Sequence, residues 1–465
     1  FSLPEKKMQI NINFIPPQQN LYFVGGTVRD LMLSRCPRDY DLVTTGDAPA
    51  AAKKIAALTG GRIVQLGKPG MYLYRIPFEG FTCDVTEARE GSIIADLKAR
   101  DFSINAMAVS TMDGEIFDPA GGRRDLENKT IRMISLENLL DDPVRFLRAY
   151  RLAAELGFFI SADTCAAIRT YGHRIKYSAG ERIRDELIKF FAAPQSSEYI
   201  HALAATRMAA VIFPGIQKLK GCGQNRFHAH DVFDHTIRTY TGLERLLHRP
   251  ASAEPPWGQA AGLFPGPENR SLLKCAALLH DIGKPGAKTV DDEGRIHFYH
   301  HEQIGADMAA GIFRQLKFSN QQARYMEAII QQHLRPLFLF VQYQKGILEN
   351  KTVNRFFIKT EPYTIDLLLM ASADALGKTL ESDAGDFKKF LGIMIHAYMD
   401  RFLPAHTAPR LINGHDLMTA FDLPPSPLIG KILTYIHEQH LLNNIQNRGE
   451  ALELAKNFLS RCSGS

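Results

Sequence analysis

The amino-acid sequence predicts an α/β head followed by an all-α remainder, and three observations carry that reading. The apolar run Leu21 to Val24 stops at Gly25-Gly26 and gives way to a helical stretch from Thr27 to Leu33. Short apolar alternations then recur up to Thr86, at the period of two that marks a strand. Beyond about residue 131 the apolar residues fall at helical spacing instead.

The elements follow in order. Arg35 to Arg38 turn the chain around Pro37, and Asp39-Tyr40-Asp41-Leu42-Val43 opens the next strand. Ala48 to Leu58 is alanine-rich and helical in pattern, and Gly60-Gly61 ends it. Arg62 to Leu66, Tyr72 to Pro77 and Phe81 to Thr86 read as three further strands. Asp141 and Asp142 ahead of Pro143 suit a first helical turn, so a long amphipathic helix is expected through Val144, Leu147, Leu152 and Leu156. Helices are then expected at Ile237 to Leu247, Leu272 to Leu279 and Phe387 to Met399. Between them, Arg249 to Arg270 is rich in Pro, Gly and Ala, holds the single Trp, Trp257, and reads as a surface insertion. The expected domains are a head (1–130), a neck (131–192), a body (193–380) and a tail (381–465).

Composition excludes several classes. The chain has 465 residues, 45% hydrophobic and 23% charged, ordinary for a globular protein of roughly two to four domains. A formal charge of +5 permits a polyanionic partner without demanding one. The six cysteines are scattered with no Cys-x-x-Cys, which points to reduced thiols in a cytoplasm and not to a disulfide frame or a zinc ribbon. No apolar run is long enough for a membrane span. The first residues, Phe1 to Lys7, show no cleavable signal pattern, and a start without Met is expected of a chain that begins internally.

Chemistry concentrates around the first strand and helix. Glycines at 25 and 26 lack a Cβ, so the backbone there can approach a phosphate and offer its N–H groups. Asp39 and Asp41, two apart on a strand, point to one face. Two adjacent carboxylates call for a cation between them, and a hard, oxygen-liganded ion such as Mg²⁺ is the natural partner.

The whole stretch from Phe23 to Val43, glycine pair, helix and Asp-x-Asp strand in that order, resembles the head of the class II tRNA nucleotidyltransferase and poly(A) polymerase family, within the polymerase-β-like nucleotidyltransferases. The resemblance implies a mixed-sheet head, an all-α neck, an HD body and a helical tail. It also implies that Asp39 and Asp41 hold two Mg²⁺ ions, with Asp84 on a neighbouring strand as the third catalytic carboxylate. Asp96-Leu-Lys-Ala-Arg100-Asp101-Phe-Ser-Ile-Asn105-Ala-Met resembles the family's Arg-Arg-Asp-Phe-Thr-Ile-Asn-Ala motif, with Ala99 in place of the first Arg. By that likeness Gly25, Gly26, Arg29, Arg100, Asp101 and Asn105 bind nucleotide, Arg100 at the triphosphate and Asp101 at a ribose hydroxyl. Asp118 and Asp125, around Gly121-Gly122, are expected to tie head to neck.

In the neck, Asp141-Asp142-Pro-Val-Arg145 aligns with the family's base-reading Glu-Asp-x-x-Arg element, with Asp141 in place of Glu. Asp142 and Arg145, three apart, share a helix face. A carboxylate takes the amino hydrogen of cytosine or adenine, and a guanidinium serves the ring nitrogen or cytosine O2. Uracil and guanine present a carbonyl to an acid that cannot donate, so they are rejected. Arg148 and Arg151 extend a basic side toward phosphate. Glu181, Arg182 and Glu186 match the Glu-Arg-x-x-x-Glu helix and are expected to brace the base-reading helix.

Between Arg89 and Arg100 stand only ten residues, where family members that build the whole C-C-A end carry a longer flexible loop. That economy favours CC addition. Gly67-Lys68-Pro69-Gly70-Met71 lacks the basic pair and Phe of the poly(A) polymerase branch. In the body, His280-Asp281 is the signature pair of the HD metal phosphohydrolase superfamily. The likeness gives His235, His280, Asp281 and Asp374 to a first metal, with His301 and His333 for a second, and imidazole with carboxylate suits Mn²⁺, Fe²⁺, Ni²⁺ or Mg²⁺. The tail, with Asn413-Gly414 and Pro425 to Lys431, resembles the region that holds the tRNA elbow, where Arg448 and Lys456 would meet phosphate. The expected reaction is attack of a tRNA 3′-hydroxyl on the α-phosphate of CTP, releasing pyrophosphate. The alternatives are a complete CCA-adding enzyme that also takes ATP and carries an HD phosphohydrolase, and an HD phosphohydrolase whose head only senses nucleotide.

Overall fold

A short amphipathic strand cannot bury one face alone, and seven of them pair into one sheet. In the computed structural model these are β1 (Leu21–Val24), β2 (Asp39–Thr44), β3 (Val64–Lys68), β4 (Met71–Phe78), β5 (Phe81–Glu87), β6 (Ala108–Ser110) and β7 (Ile116–Phe117). Their order is β3-β4-β5-β2-β1-β6-β7. β2 and β5 run parallel while the other neighbours are antiparallel, so the sheet is mixed, as expected. The structure describes residues 15, 17–37, 39–224, 231–248, 256–377, 381–442 and 444–462. It divides into two compact units, residues 1–213 and 214–465.

In the first unit, α1 (Gly25–Met32) follows β1 with no intervening loop. Gly25 makes the corner possible: its φ is +64°, in the left-handed region that glycine adopts without strain. Helix α2 (Ala48–Thr59) starts on Asp47, whose side chain accepts from the Ala50 N–H, and ends on Gly60 at φ +67°. It covers one face of the sheet, where Leu42, Ile55, Ile76, Cys83 and Val85 are all buried. The stretch expected to be a shortened loop is instead a 3-10 turn followed by α3 (Ile93–Lys98), capped by Ser92. Ile93 and Leu97 pack with Val24 and Val43, so this helix closes part of the sheet's other face.

The neck is helical. After α4 (Gly122–Glu127) come α5 (Leu136–Asp141), α6 (Val144–Leu156), α7 (Ala162–Tyr171) and α8 (Gly180–Ala192). Asp118 accepts from the Gly122 and Arg123 N–H groups at the start of α4. Along α6, Val144, Leu147 and Leu152 are buried at helical spacing, and Gly157 ends the helix at φ +70°. α8 packs against α6. Helices Ser196–Ala204 and Arg207–Ile212 complete the unit.

The second unit is built on helices Val232–His248, Pro267–Leu279, His301–Gln315, Asn320–Gln332 and Thr364–Gly377. One expectation is corrected here. Trp257 is not on a surface insertion but is 3% exposed, with its ring edge-on to Phe264. Proline content suggested an exposed segment, but burial of the indole outweighs it, a gain of about 2–3 kcal/mol. The expected insertion's residues 249–255 lie outside those described. Toward the C-terminus, Ile412, Leu417, Ile429, Ile432, Ile436 and Ala451 form a small separate core.

Helix Thr364–Gly377 also buries an acid the sequence reading passed over. Asp366 accepts from the Tyr325 hydroxyl at 2.6 Å, and burial pushes its carboxyl up to about 7 from 3.8. A raised native pKa means the folded state holds a proton that the unfolded state has lost, so the stabilising contribution is full below about pH 4 and is gone above about pH 7. Asp366→Asn keeps an acceptor for Tyr325 and cannot ionise. It should raise the melting temperature at pH 8, change it little at pH 5, and flatten the pH dependence of thermal unfolding between them.

Candidate active site

In the head, the sequence places two acids on one face of β2, and the fold brings the glycine turn to them. The Thr27 hydroxyl ties α1 to β2: it accepts from the Asp41 N–H at 2.7 Å and donates to the Asp39 carbonyl at 3.3 Å. A Cβ added at Gly25 would stand 2.6 Å from Arg100 Nη1 and 3.4 Å from Asp41 Oδ2, and one at Gly26 would stand 3.7 Å from the same oxygen. The backbone therefore approaches the acid pair where a side chain would be in the way. Gly25, Gly26, Arg29, Asp30, Asp39, Asp41, Arg100, Asp101, Asn105, Arg145, Arg148 and Arg151 line one cavity of about 420 Å³. A larger groove of about 770 Å³, along helix Glu381–Ala397 in the second unit, has neither an acid pair nor a glycine corner.

Electrostatics suit a cation between the acids. Asp41 has a raised pKa, first through burial and then through Asp84 and Asp39, with Arg100 and Arg29 acting the other way. A divalent ion would relieve that cost, so the donor set fits Mg²⁺. Asp101 is buried, which raises its pKa, yet the Arg148 guanidinium at 3.0 Å and the Asn105 amide bring it below the ordinary value. Arg29 donates to Asn105 Oδ1 at 2.8 Å, and Arg100 is held by Asp96 at 2.9 Å. Arg148 and Arg151, expected to extend a basic side toward phosphate, both carry carboxylate partners: each reaches Glu186, at 3.1 and 2.7 Å, and Arg151 also reaches Glu155.

Of the pair Asp142 and Arg145, Arg145 lines the same cavity and Asp142 does not. Arg145 donates from Nη1 to the carbonyls of Asn138 (2.9 Å) and Ala99 (3.2 Å), while its Nε is buried without a hydrogen-bond partner, 3.6 Å from Asp142 Oδ2. Asp142 is gripped by both nitrogens of the Arg182 fork, at 2.9 and 2.7 Å. Arg182 and Glu186 thus both contact groups on or beside α6, whereas Glu181 is exposed.

Asp84 stands apart. It pairs in register with Asp41 on the parallel neighbour strand, but it does not line the cavity. Both of its oxygens accept from Arg75, at 2.9 and 2.7 Å. Sequence reasoning missed Arg75, because only the hairpin register puts Arg75 opposite Asp84.

In the second unit the six expected residues converge. His235 Nε2 lies 2.8 Å from Asp374 Oδ1 and 3.6 Å from Asp281 Oδ2. His280, His301 and His333 bring Nε2 to within 3.2, 3.3 and 3.9 Å of Asp281. Each of these three uses Nδ1 on a backbone carbonyl, of Ala277, Phe298 and Ile330 respectively. A carbonyl accepts only from N–H, so Nδ1 carries a proton in each ring and Nε2 is the atom turned toward Asp281 and available to a ligand. His280 Nε2 and His301 Nε2 are buried with no hydrogen-bond partner, which is costly unless a ligand takes them. His235-His280-Asp281 and Asp281-His301-His333 could each hold an ion, sharing Asp281, and the donor set fits a divalent transition metal or Mg²⁺. Lys284, three residues after Asp281, was also missed: its ammonium sits 2.7 Å from Asp281 Oδ2 and donates to Gln224. In the tail, Arg448 pairs with Asp416 at 2.7 Å.

Comparison with known proteins bears on these sites. Residues 21–72 and 79–132 match the poly A polymerase head domain, 157–219 the probable RNA and SrmB-binding site of polymerase A, and 232–377 the HD domain. An A-adding tRNA nucleotidyltransferase of Deinococcus radiodurans is 29% identical over 95% of this chain and 96% of its own. A CC-adding tRNA nucleotidyltransferase of Synechocystis sp. is 29% identical over 97% and 96%. A multifunctional CCA protein of Aromatoleum aromaticum is 30% identical over 82% and 87%. A solved CCA-adding enzyme complexed with CTP shares the fold, with a TM-score of 0.60 at 20% identity over 94% of this chain and 91% of that one. No helix among the described residues is long and apolar enough to cross a membrane. With a matching head, neck and HD body in one chain, and relatives of nearly the same extent, the chain belongs to the tRNA nucleotidyltransferase family.

Proposed function

We propose that the chain adds CMP residues from CTP to the 3′ end of tRNA without a nucleic-acid template. One observation carries this reading: the acid pair Asp39/Asp41 and the base-side Arg145 line the same cavity of about 420 Å³. Asp39 and Asp41 would hold Mg²⁺, which supplies Lewis-acid assistance to the attacking 3′-hydroxyl and the α-phosphate. Asp142 and Arg145 select the base. Gly25 and Gly26 let the triphosphate approach the backbone, and Arg29 and Arg100 neutralise its oxygens. Asp101 and Asn105 form the ribose side, and Arg148 and Arg151 hold that side in place through Glu186.

CC addition is favoured over full C-C-A addition. The ten residues between Arg89 and Arg100 are spent on a 3-10 turn and a capped helix packed on the sheet, which supports a site without a long swinging loop. The test offers labelled CTP and ATP, alone and together, to tRNAs ending before C, after C and after CC. CC-only addition predicts label from CTP on the first two and none from ATP on the third. Transfer of AMP to the CC end would establish full or A-only addition instead.

A second activity is proposed for the body: phosphohydrolysis of a 2′,3′-cyclic or terminal phosphate on damaged tRNA. Its support is the set of buried, unpartnered Nε2 atoms around Asp281.

A further inference from the structure

The sheet register sets four side chains in a row across the face opposite α2. Val64 on β3 lies opposite Arg75 on β4, Arg75 opposite Asp84 on β5, and Asp84 opposite Asp41 on β2. Paired residues project to the same side of a sheet, so Asp84 stands between Arg75 and the acid pair. The next row is Leu66, Leu73, Thr86 and Val43. Val64 and Leu66 are 40% and 41% exposed, and Arg75 keeps 47% of its side chain in solvent. Lys68, two further along β3 from Leu66, is exposed on the same side.

Sheet order separates two approaches to the acids. On the β1 side of β2 lie the glycine corner and the nucleotide cavity. On the β5 side lies the open row, with Arg75 about two strand spacings, or roughly 10 Å, from Asp41. A nucleotide that fills the cavity leaves the second approach to the strand that attacks it. Asp84 takes the Nε–Nη2 edge of the Arg75 guanidinium, and the Nη1–Nη2 edge on that approach remains to match a phosphodiester.

We propose that Arg75 is a positioning residue for the RNA acceptor: it binds the backbone phosphate next to the terminal 3′-hydroxyl, and Asp84 serves to hold Arg75 there. The inference rests on the transferase reading above and replaces the expectation that Asp84 is a third metal ligand. Arg75 neutralises one phosphate, and its field reaches the acids, since Asp84, then Asp39 and Asp41, raise its pKa.

The test compares Arg75→Ala, Arg75→Lys, Asp84→Asn and the Arg75→Ala/Asp84→Asn double variant as full-length protein, with thermal unfolding run alongside. Arg75→Ala should raise KM for tRNA about 3- to 10-fold with less change in kcat, and lower the slope of log binding constant against log salt by about one. Arg75→Lys should restore the salt slope but not the full KM, because Lys keeps the charge and loses the fork. Asp84→Asn should reproduce the Arg75→Ala defect, and the double variant should add nothing to it. The proposal is overturned if Arg75→Ala leaves the salt slope unchanged. It is equally overturned if the Asp84→Asn defect falls on kcat, exceeds that of Arg75→Ala, and shifts the Mn²⁺ dependence of the reaction. Absence of CMP transfer by the wild type would defeat the transferase reading, and the salt slope, measured by RNA binding, would still decide the role of Arg75.

Discussion

Asp41→Asn is expected to lower CMP incorporation by at least about 10³-fold, some 4 kcal/mol of barrier, in a chain that stays folded. The substitution keeps the side chain's shape and its place beside Gly25 and Gly26 while removing the charge that a divalent ion would need. Stability should not suffer, because burial and the neighbouring Asp84 and Asp39 already raise the pKa of Asp41. Removing a disfavoured charge relieves repulsion. Asp39→Ala should be as damaging to incorporation, since Asp39 shares the face and the cavity. The same variants discriminate between functions. If the head transfers nucleotide and the body hydrolyses phosphate, incorporation disappears while phosphatase activity persists. If the head merely senses nucleotide, wild-type chain incorporates nothing from any triphosphate and the variants reveal no transferase loss.

Asp142→Asn is expected to shrink the preference for CTP over UTP by roughly 10²-fold. Cytosine offers an amino hydrogen where uracil offers a carbonyl oxygen. A carboxylate can only accept, so it pairs with the first and repels the second. An amide in the same place can donate, and uracil then finds a partner. The geometry supports a fixed reader: the Arg182 fork grips both Asp142 oxygens, and Arg145 is pinned by the carbonyls of Asn138 and Ala99. Single-turnover incorporation from CTP and from UTP gives the ratio directly. A ratio unchanged by the substitution would mean that the base is read elsewhere.

Much of this was legible in the chain because the deciding patterns are local. Gly25-Gly26 before a helix and Asp39-x-Asp41 on an alternating strand announce a turn and a shared face. Asp142 and Arg145 were expected to share a helix face, but Asp142 stands in the non-helical break between α5 and α6, ahead of the helix that carries Arg145. His280-Asp281 sits at the end of an apolar helix, and the six metal candidates it suggested do meet around Asp281.

What stayed hidden depends on pairings between distant segments. Arg75 looked like any strand cation until the β4–β5 register set it against Asp84. Lys284 meets Gln224, sixty positions earlier, and that contact is a product of the tertiary fold. Glu186, expected as a brace for α6, pairs there with both Arg148 and Arg151, and which residues it would hold was not readable from the chain. Trp257 was misread because local proline content speaks of turns and is silent about the apolar surface a turn can cover.

The most direct measurement gives the wild-type chain a tRNA lacking its C-C-A end and each of the four nucleoside triphosphates in turn, in a single turnover with Mg²⁺. Covalent transfer of CMP is expected, with one pyrophosphate released per addition and CTP preferred to UTP by at least about 10²-fold. Equal incorporation of UTP and CTP, or no transfer from any of the four, would contradict this expectation.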